Sequence, residues 1–202
     1  MTKWKGAVAS REEVREQKRN LALRIAAEMF NARGYHATSL DDVADRIGVT
    51  KAALYYYFKN KDELLYSCMK LTYGCGEQAR AEAKALDGNS FAKLQHLYTR
   101  FMELLMQDHH VYTTEANIYA LPEAYQEALR ERRRVMDRES RDLIKAAIAE
   151  GTIRPVDVRL TSNYLLGAVN WILRWHTENE EYTAEEIANH FFKLFLNGVK
   201  PT

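Results

Sequence analysis

Two cysteines, three prolines and nine glycines in 202 residues leave little from which to build a stapled or loop-rich fold. Cys68 and Cys75 lie seven apart and form no CxxC pair, so neither a disulfide framework nor a zinc site is indicated, and a reducing cytosol fits. No apolar run is long enough to span a bilayer, and the polar, basic opening MTKWKGAVASREEVREQKR has no signal-peptide core. The expectation is a cytoplasmic protein with no membrane partner. No stretch alternates apolar and polar residues long enough to make a convincing strand. A nucleotide-binding glycine loop, an HExxH pair and a nucleophile elbow are all missing, which argues against an enzyme and against a cofactor. His109 and His110 are adjacent, and neighbours on a helix point about 100° apart, so they are poor co-ligands for a metal. His96, His176 and His190 stand alone.

What is present is helical periodicity over a chain that is 47% hydrophobic, enough to bury a sizeable core. The reading is an all-α protein of about nine helices: a helix-turn-helix domain with its N-terminal arm in residues 1–61, and a larger helical domain in 62–202. The net charge of +1 conceals an uneven distribution. Residues 1–61 carry twelve Lys/Arg against seven Asp/Glu, and the remainder carries seventeen against 21. A basic head on an acidic body suits one domain that meets phosphate and another that does not.

The arm, residues 1 to about 12, holds Lys3, Lys5 and Arg11. From Glu13 to Arg33, Leu21, Ile25 and Met29 run beside Ala22, Ala26 and Phe30 as one apolar stripe, and Gly34 stops the helix. Ser39 with Asp42 three residues on reads as an N-cap and box, and Leu40, Val43, Ala44 and Ile47 give the next short helix one buried face. Gly48 and Val49 make the turn, and Thr50 caps a third helix. Rotation of about 100° per residue sorts the following positions into two arcs. Ala53, Leu54, Tyr57 and Phe58 point inward, while Lys51, Ala52, Tyr55, Tyr56 and Lys59 point outward.

The outward arc has the chemistry of a base-reading surface. Lys51 suits a guanine edge, Ala52 permits close approach or contact with a thymine methyl, and Tyr55 brings a ring with a hydroxyl tip. Tyr56 lies further round, toward phosphate. Asn60 with Glu63 caps a further helix start whose amides, with Lys61, face the same backbone. Adjacent exposed aromatics call for a partner, and double-stranded DNA is the one this spacing fits.

The run GYHATSLDDVADRIGVTKAALYYYFKNKDELL resembles the DNA-binding domain of the tetracycline-repressor (TetR) family of bacterial regulators. The likeness extends from about Leu21 to Leu65 through Phe30, Gly34, Thr38, Ala44, Gly48, Val49, the LYYYF run, Lys61 and Leu64. It implies phosphate contacts at Ser39, Thr50, Tyr56 and Lys61, and base contacts at Lys51, Ala52 and Tyr55. It further implies a homodimer on a palindromic operator, a helical ligand-binding and dimerisation domain in 62–202, and repression relieved by a small molecule.

Beyond Asp62 one helix is expected from Lys61 to about Leu86, with a bend or interruption near Gly74 and Gly76. Others are expected over Ser90–His109, Thr114–Ala120, Pro122–Glu150, Asp157 to about Thr177, and after Thr183 with Glu186 as its box. Arg130, Arg132, Arg133, Arg134, Arg138 and Arg141 among glutamates read as a solvated helix with i, i+4 pairs, or as a cationic mouth for an anionic ligand. The last two helices carry more apolar face than one small core covers, which points to a four-helix dimer interface.

The segments GTIRPVDVRL, LLGAVNWILRWH and TAEEIA are similar to a subset of the family that responds to acyl-CoA thioesters. Asn170, Trp171 and Trp175 carry the likeness, and His176-Thr177-Glu178 depart from it. An effector of that kind would need an apolar tunnel, for which Phe101, Met102, Leu105, Tyr119, Tyr125, Leu166 and Trp171 are the candidates, with arginines for its phosphates. The alternatives are an efflux-type regulator sensing lipophilic drugs and a DNA-binding factor without any small-molecule ligand.

Overall fold

A computed structural model describes residues 10–107, 115–176 and 181–199. Lys3, Lys5, the His109-His110 pair and the end of the seventh helix at Thr177 fall outside them. The described residues form eight α-helices and one 3-10 turn, with no strand. In order these are α1 (Arg11–Arg33), α2 (Leu40–Ile47), α3 (Lys51–Tyr55), α4 (Lys61–Ala85), α5 (Ser90–Gln107), the 3-10 turn (Glu115–Ala120), α6 (Glu123–Ala149), α7 (Val158–Trp175) and α8 (Ala184–Val199).

Local hydrogen bonding sets most of the starts. Ser10 caps α1 through a full box with Glu13, so the helix begins at Arg11, earlier than the apolar stripe alone implies. Ser39 and Asp42 form the same box on α2, Thr50 accepts from the Ala53 amide on α3, and Thr183 and Glu186 close the start of α8. On α4, Asn60 accepts from the Glu63 amide while the Glu63 carboxylate reaches one residue further, to the Lys59 amide. Gly48 ends α2 in the left-handed conformation (φ 80°), which a side chain would strain.

Two hydrophobic cores divide the molecule, and α4 belongs to both. The N-terminal core joins Leu23, Phe30, Val43 and Leu54 of the first three helices, and Phe58 just beyond α3, to Leu64, Leu65, Cys68 and Met69 of α4. Ile118 of the 3-10 turn, Leu121 just after it and Leu129 of α6 complete it. The second core takes Cys75, Ala79 and Ala83 of α4 with α5 to α8. Packing therefore changes hands inside α4, between Met69 and Cys75, rather than at residue 61.

Several expectations change on folding. Helix α4 runs uninterrupted through Gly74 and Gly76. Gly76 serves proximity instead: a Cβ there would stand 3.2 Å from Cζ of Phe101, so its absence lets the aromatic ring lie against the α4 backbone. Leu21 is 47% exposed and Ala53 is exposed, because Leu23 and Ala27 turn inward on α1, and Leu54 of α3 with Phe58 just beyond it take the buried positions there. On α7 and α8, Leu160, Tyr164, Trp171 and Leu194 stand more than half exposed, with Gly167 exposed between Tyr164 and Trp171. At steps of four and seven residues, the first three line one side of α7.

Candidate nucleic-acid interface and interior cleft

The outer residues of the helix-turn-helix are held by polar links that the motif itself does not reveal. Ser39 Oγ accepts from the Asp42 amide at 3.0 Å, and the Asp42 carboxylate takes the Ser39 amide and hydroxyl at 2.8 and 2.6 Å. Those bonds hold the Asp42 carboxyl below the usual carboxylate range. Lys51 Nζ donates to Asp41 at 2.7 Å, which raises its ammonium pKa, and lies 6.0 Å from the Tyr55 ring centre. Ala52 is exposed, Tyr55 is 44% exposed and Tyr56 67%. The guanidinium of Arg15 on α1 lies 5.5 Å over the Tyr56 ring.

Lys61 is only partly exposed. Its Nζ donates to the Tyr35 carbonyl at 3.0 Å and sits 4.0 Å over the Tyr35 ring, while the Tyr35 hydroxyl donates to Asp62. Burial, with Asp62 beside it, raises the Tyr35 phenol well above its ordinary pKa. Lys51 and Lys61 are thus tethered on either side of the Ser39 start of α2. Asp41, Tyr35 and Arg15 are positioning residues the sequence reading missed. Their partners lie 10, 26 and 41 positions away, where no local pattern reports them.

Above this unit a narrow cleft of about 40 Å³ opens between four helices. Helix α4 contributes Met69, Tyr73, Gly76, Glu77 and Arg80; α5 contributes Phe101; α6 contributes Arg132, Arg133 and Met136; α7 contributes Leu166 and Asn170. Of the seven tunnel residues expected from sequence, Phe101 and Leu166 line it. The other five are placed elsewhere. Met102 and Leu105 are buried in the central core, and Tyr125 stacks on Tyr66 with ring centres 4.4 Å apart. Tyr119 is 76% exposed, and Trp171 lies on the outward side of α7 at 63%.

The arginine-rich helix α6 divides its charges between solvent and cleft. Arg130 pairs with Glu123 and Glu127, Arg134 with Glu127 and Glu131, and Arg141 with Asp137, at spacings of three and seven as well as four. Arg132 turns inward: its Nε and Nη2 meet the two oxygens of Glu77 at 2.6 and 2.7 Å, and its guanidinium lies 5.8 Å from the Tyr73 ring centre. This bidentate pair holds the Glu77 carboxyl below its ordinary pKa. Arg80 reaches Glu139 at 3.4 Å.

A buried polar chain underlies the cleft. The Tyr98 hydroxyl is 2.7 Å from Ser140 Oγ, Ser140 is 3.3 Å from Ser162 Oγ, and Ser162 donates to Asp137 at 3.0 Å. Burial pushes the Tyr98 phenol up to about 12. Each of the three hydroxyl residues stands about one helical turn from a cleft residue on its own helix: Tyr98 from Phe101, Ser140 from Met136, Ser162 from Leu166. Among the described residues no group of three or more His, Cys, Asp or Glu is placed to hold a metal, and no helix is long and apolar enough to cross a membrane.

Comparison with known proteins places both halves. Residues 22–68 match the family of bacterial regulatory proteins designated tetR, and residues 87–199 match the tetracyclin repressor-like C-terminal domain. The transcriptional repressor KstR2 of Mycolicibacterium smegmatis is 25% identical over 192 residues, covering 90% of each chain. The solved structure of the ketosteroid transcriptional regulator KstR2 of Mycobacterium tuberculosis superposes with a TM-score of 0.83 at 23% identity, covering 98% of each chain. AibR, solved in complex with isovaleryl coenzyme A and operator DNA, has a TM-score of 0.73 at 24% identity, over 88% of this chain and 97% of its own. With one family match alone covering more than half of its length, the chain belongs to the TetR family of transcriptional regulators, DNA-binding proteins rather than enzymes.

Proposed function

We propose that the protein is a dimeric repressor that holds a palindromic operator and releases it when a small hydrophobic effector of acyl-CoA type enters the interior cleft. One observation carries this reading: the cleft is walled by apolar side chains and edged by Arg80, Arg132 and Arg133. An apolar chain ending in phosphates needs that pairing. The KstR2 relative is a repressor, and in AibR the same fold accommodates a coenzyme A thioester together with operator DNA.

In this reading Lys51, Ala52 and Tyr55 enter the major groove, while Ser39, Thr50, Tyr56 and Lys61 hold phosphates on either side. One short recognition helix reads only a few base pairs, so a two-fold pair is required for specificity. The outward faces of α7 and α8, with Leu160, Tyr164, Trp171 and Leu194, supply the surface for it.

The signal has two struts. Helix α4 spans about 37 Å from the helix-turn-helix to the far side of the cleft. The first turns of α6, through Leu129 and the preceding Ile118 and Leu121, rest on the same N-terminal core. A ligand that favours a different spacing of α4 and α6 therefore tilts the DNA-binding unit, and only its differential affinity for the two arrangements counts. Titration calorimetry across acyl-CoA chain lengths, with operator release followed in parallel, tests the assignment. Heat of binding accompanied by release supports it; absence of both across the series overturns it.

A further inference from the structure

The seam between α4 and α6 is bridged at successive levels. Lowest is the Tyr66–Tyr125 stack; above it Arg132 bonds the Lys70 carbonyl at 3.4 Å and grips Glu77 with two bonds; highest, Arg80 meets Glu139. The two ion pairs are crossed, since α4 supplies Glu77 and Arg80 whereas α6 supplies Arg132 and Glu139. Both arginines line the cleft. Their side chains are 25–26% exposed and those of the glutamates 43%, so the cations lie deeper and the carboxylates lie toward water. Beyond Arg80 the seam continues into a second groove of about 410 Å³, lined by Arg80, Lys84, Lys93, Glu139 and Asp142 among others. The Arg80–Glu139 pair stands where the two spaces meet.

We propose that the crossed pairs Glu77–Arg132 and Arg80–Glu139 are a latch holding the operator-binding arrangement, and that the anionic group of the effector opens it by taking both arginines from their glutamates. The inference rests on the repressor reading above and concerns how that site is regulated. The exchange favours opening: Arg132 trades one bidentate oxyanion for another, Arg80 gives up a single 3.4 Å contact, and each glutamate turns into solvent it already partly faces. Exposed ion pairs are individually weak, which suits a contact that has to yield to a ligand. Opening the upper pair joins the cleft to the outer groove, making one channel for an elongated molecule. The latch lies just above the N-terminal core, since Arg132 is three residues past Leu129 and Glu77 two turns past Met69. Releasing it alters the spacing of both struts together.

The test uses the full-length protein with Glu77→Gln and Glu139→Gln, singly and together. Without any effector, the double variant should bind operator roughly 5- to 150-fold more weakly, the range of a typical coupling between sites. The reversed pair Arg80→Glu/Glu139→Arg should recover most of what Glu139→Gln loses, because the bar re-forms with opposite polarity. With octanoyl-CoA as probe, Glu77→Gln should bind more tightly by a similar factor, since Arg132 is no longer shared. Unchanged operator affinity in the double variant, or probe affinity in Glu77→Gln that is unchanged or weaker, overturns the latch. If the wild-type protein binds no acyl-CoA, the effector assignment fails, while the operator measurement, which uses no effector, still decides the latch.

Discussion

Replacing Ser140 with alanine should cost more than replacing Tyr98 with phenylalanine, and combining the two should cost no more than Ser140→Ala alone. The reason lies in the chain of hydroxyls beneath the cleft. Tyr98, Ser140 and Ser162 are all wholly buried, so no water replaces a lost partner. Tyr98→Phe keeps the ring and leaves Ser140 bonded to Ser162, so it forfeits one hydrogen bond, about 1 kcal/mol. Ser140→Ala removes the closest partner of the Tyr98 hydroxyl in a low-dielectric site, where an unsatisfied donor costs about 1–3 kcal/mol. In the double variant both polar groups are gone while Ser162 still donates to Asp137, so the orphan is abolished and a favourable interaction term of about 1 kcal/mol appears. Urea unfolding at fixed protein concentration measures the cycle; the concentration is fixed because the proposed self-association would make apparent stability depend on it. Costs that simply add within a few tenths of a kcal/mol would refute the coupling and leave three independent hydroxyls.

The same phenol predicts an alkaline limit: unfolded tyrosine ionises near pH 10 but buried Tyr98 only near 12, so stability is full below 10 and declines as pH rises through that interval, and Tyr98→Phe should flatten the decline. Leu129→Ala, at a fully buried site joining α6 to the N-terminal core, should cost about 2–5 kcal/mol in chemical denaturation and weaken communication between cleft and operator. Leu160→Asp with Trp171→Asp should shift the protein to monomer in sedimentation without loss of helical circular dichroism, since both side chains are exposed in the single chain. Tyr55→Ala should relax operator sequence preference, whereas Lys61→Ala should weaken every DNA alike and lower the salt slope by about one, both read by fluorescence anisotropy. Operator binding that is unaltered in both variants would remove the assigned contacts.

The helix starts were legible because their determinants lie within three residues of one another. Ser39 with Asp42, Thr50 with Ala53, and Thr183 with Glu186 each satisfy amides that any helix start exposes, whatever packs on it later. The outward arc of α3 was legible for a related reason, since a short amphipathic helix leaves few choices about which side faces solvent. The cleft was not legible. Met102, Leu105, Tyr125 and Phe101 carry equally apolar or aromatic side chains, yet only Phe101 meets the cavity, because Gly76 admits its ring while Tyr66 captures Tyr125.

Charge followed the same division. By itself the sequence determined that α6 is a long charged helix, that the N-terminal unit is basic, and that two capped short helices are joined by a Gly-Val turn, because these follow from composition and from bonds a few residues long. Only the tertiary structure decided that Arg132 faces inward to Glu77, 55 positions away, while Arg130 and Arg134 face water. It also decided that Trp171 lies on an outer face and that α6 shares a core with the DNA-binding unit. Which side of a helix meets which neighbour depends on how helices cross, and crossing is settled by packing many side chains at once, a property no local stretch contains.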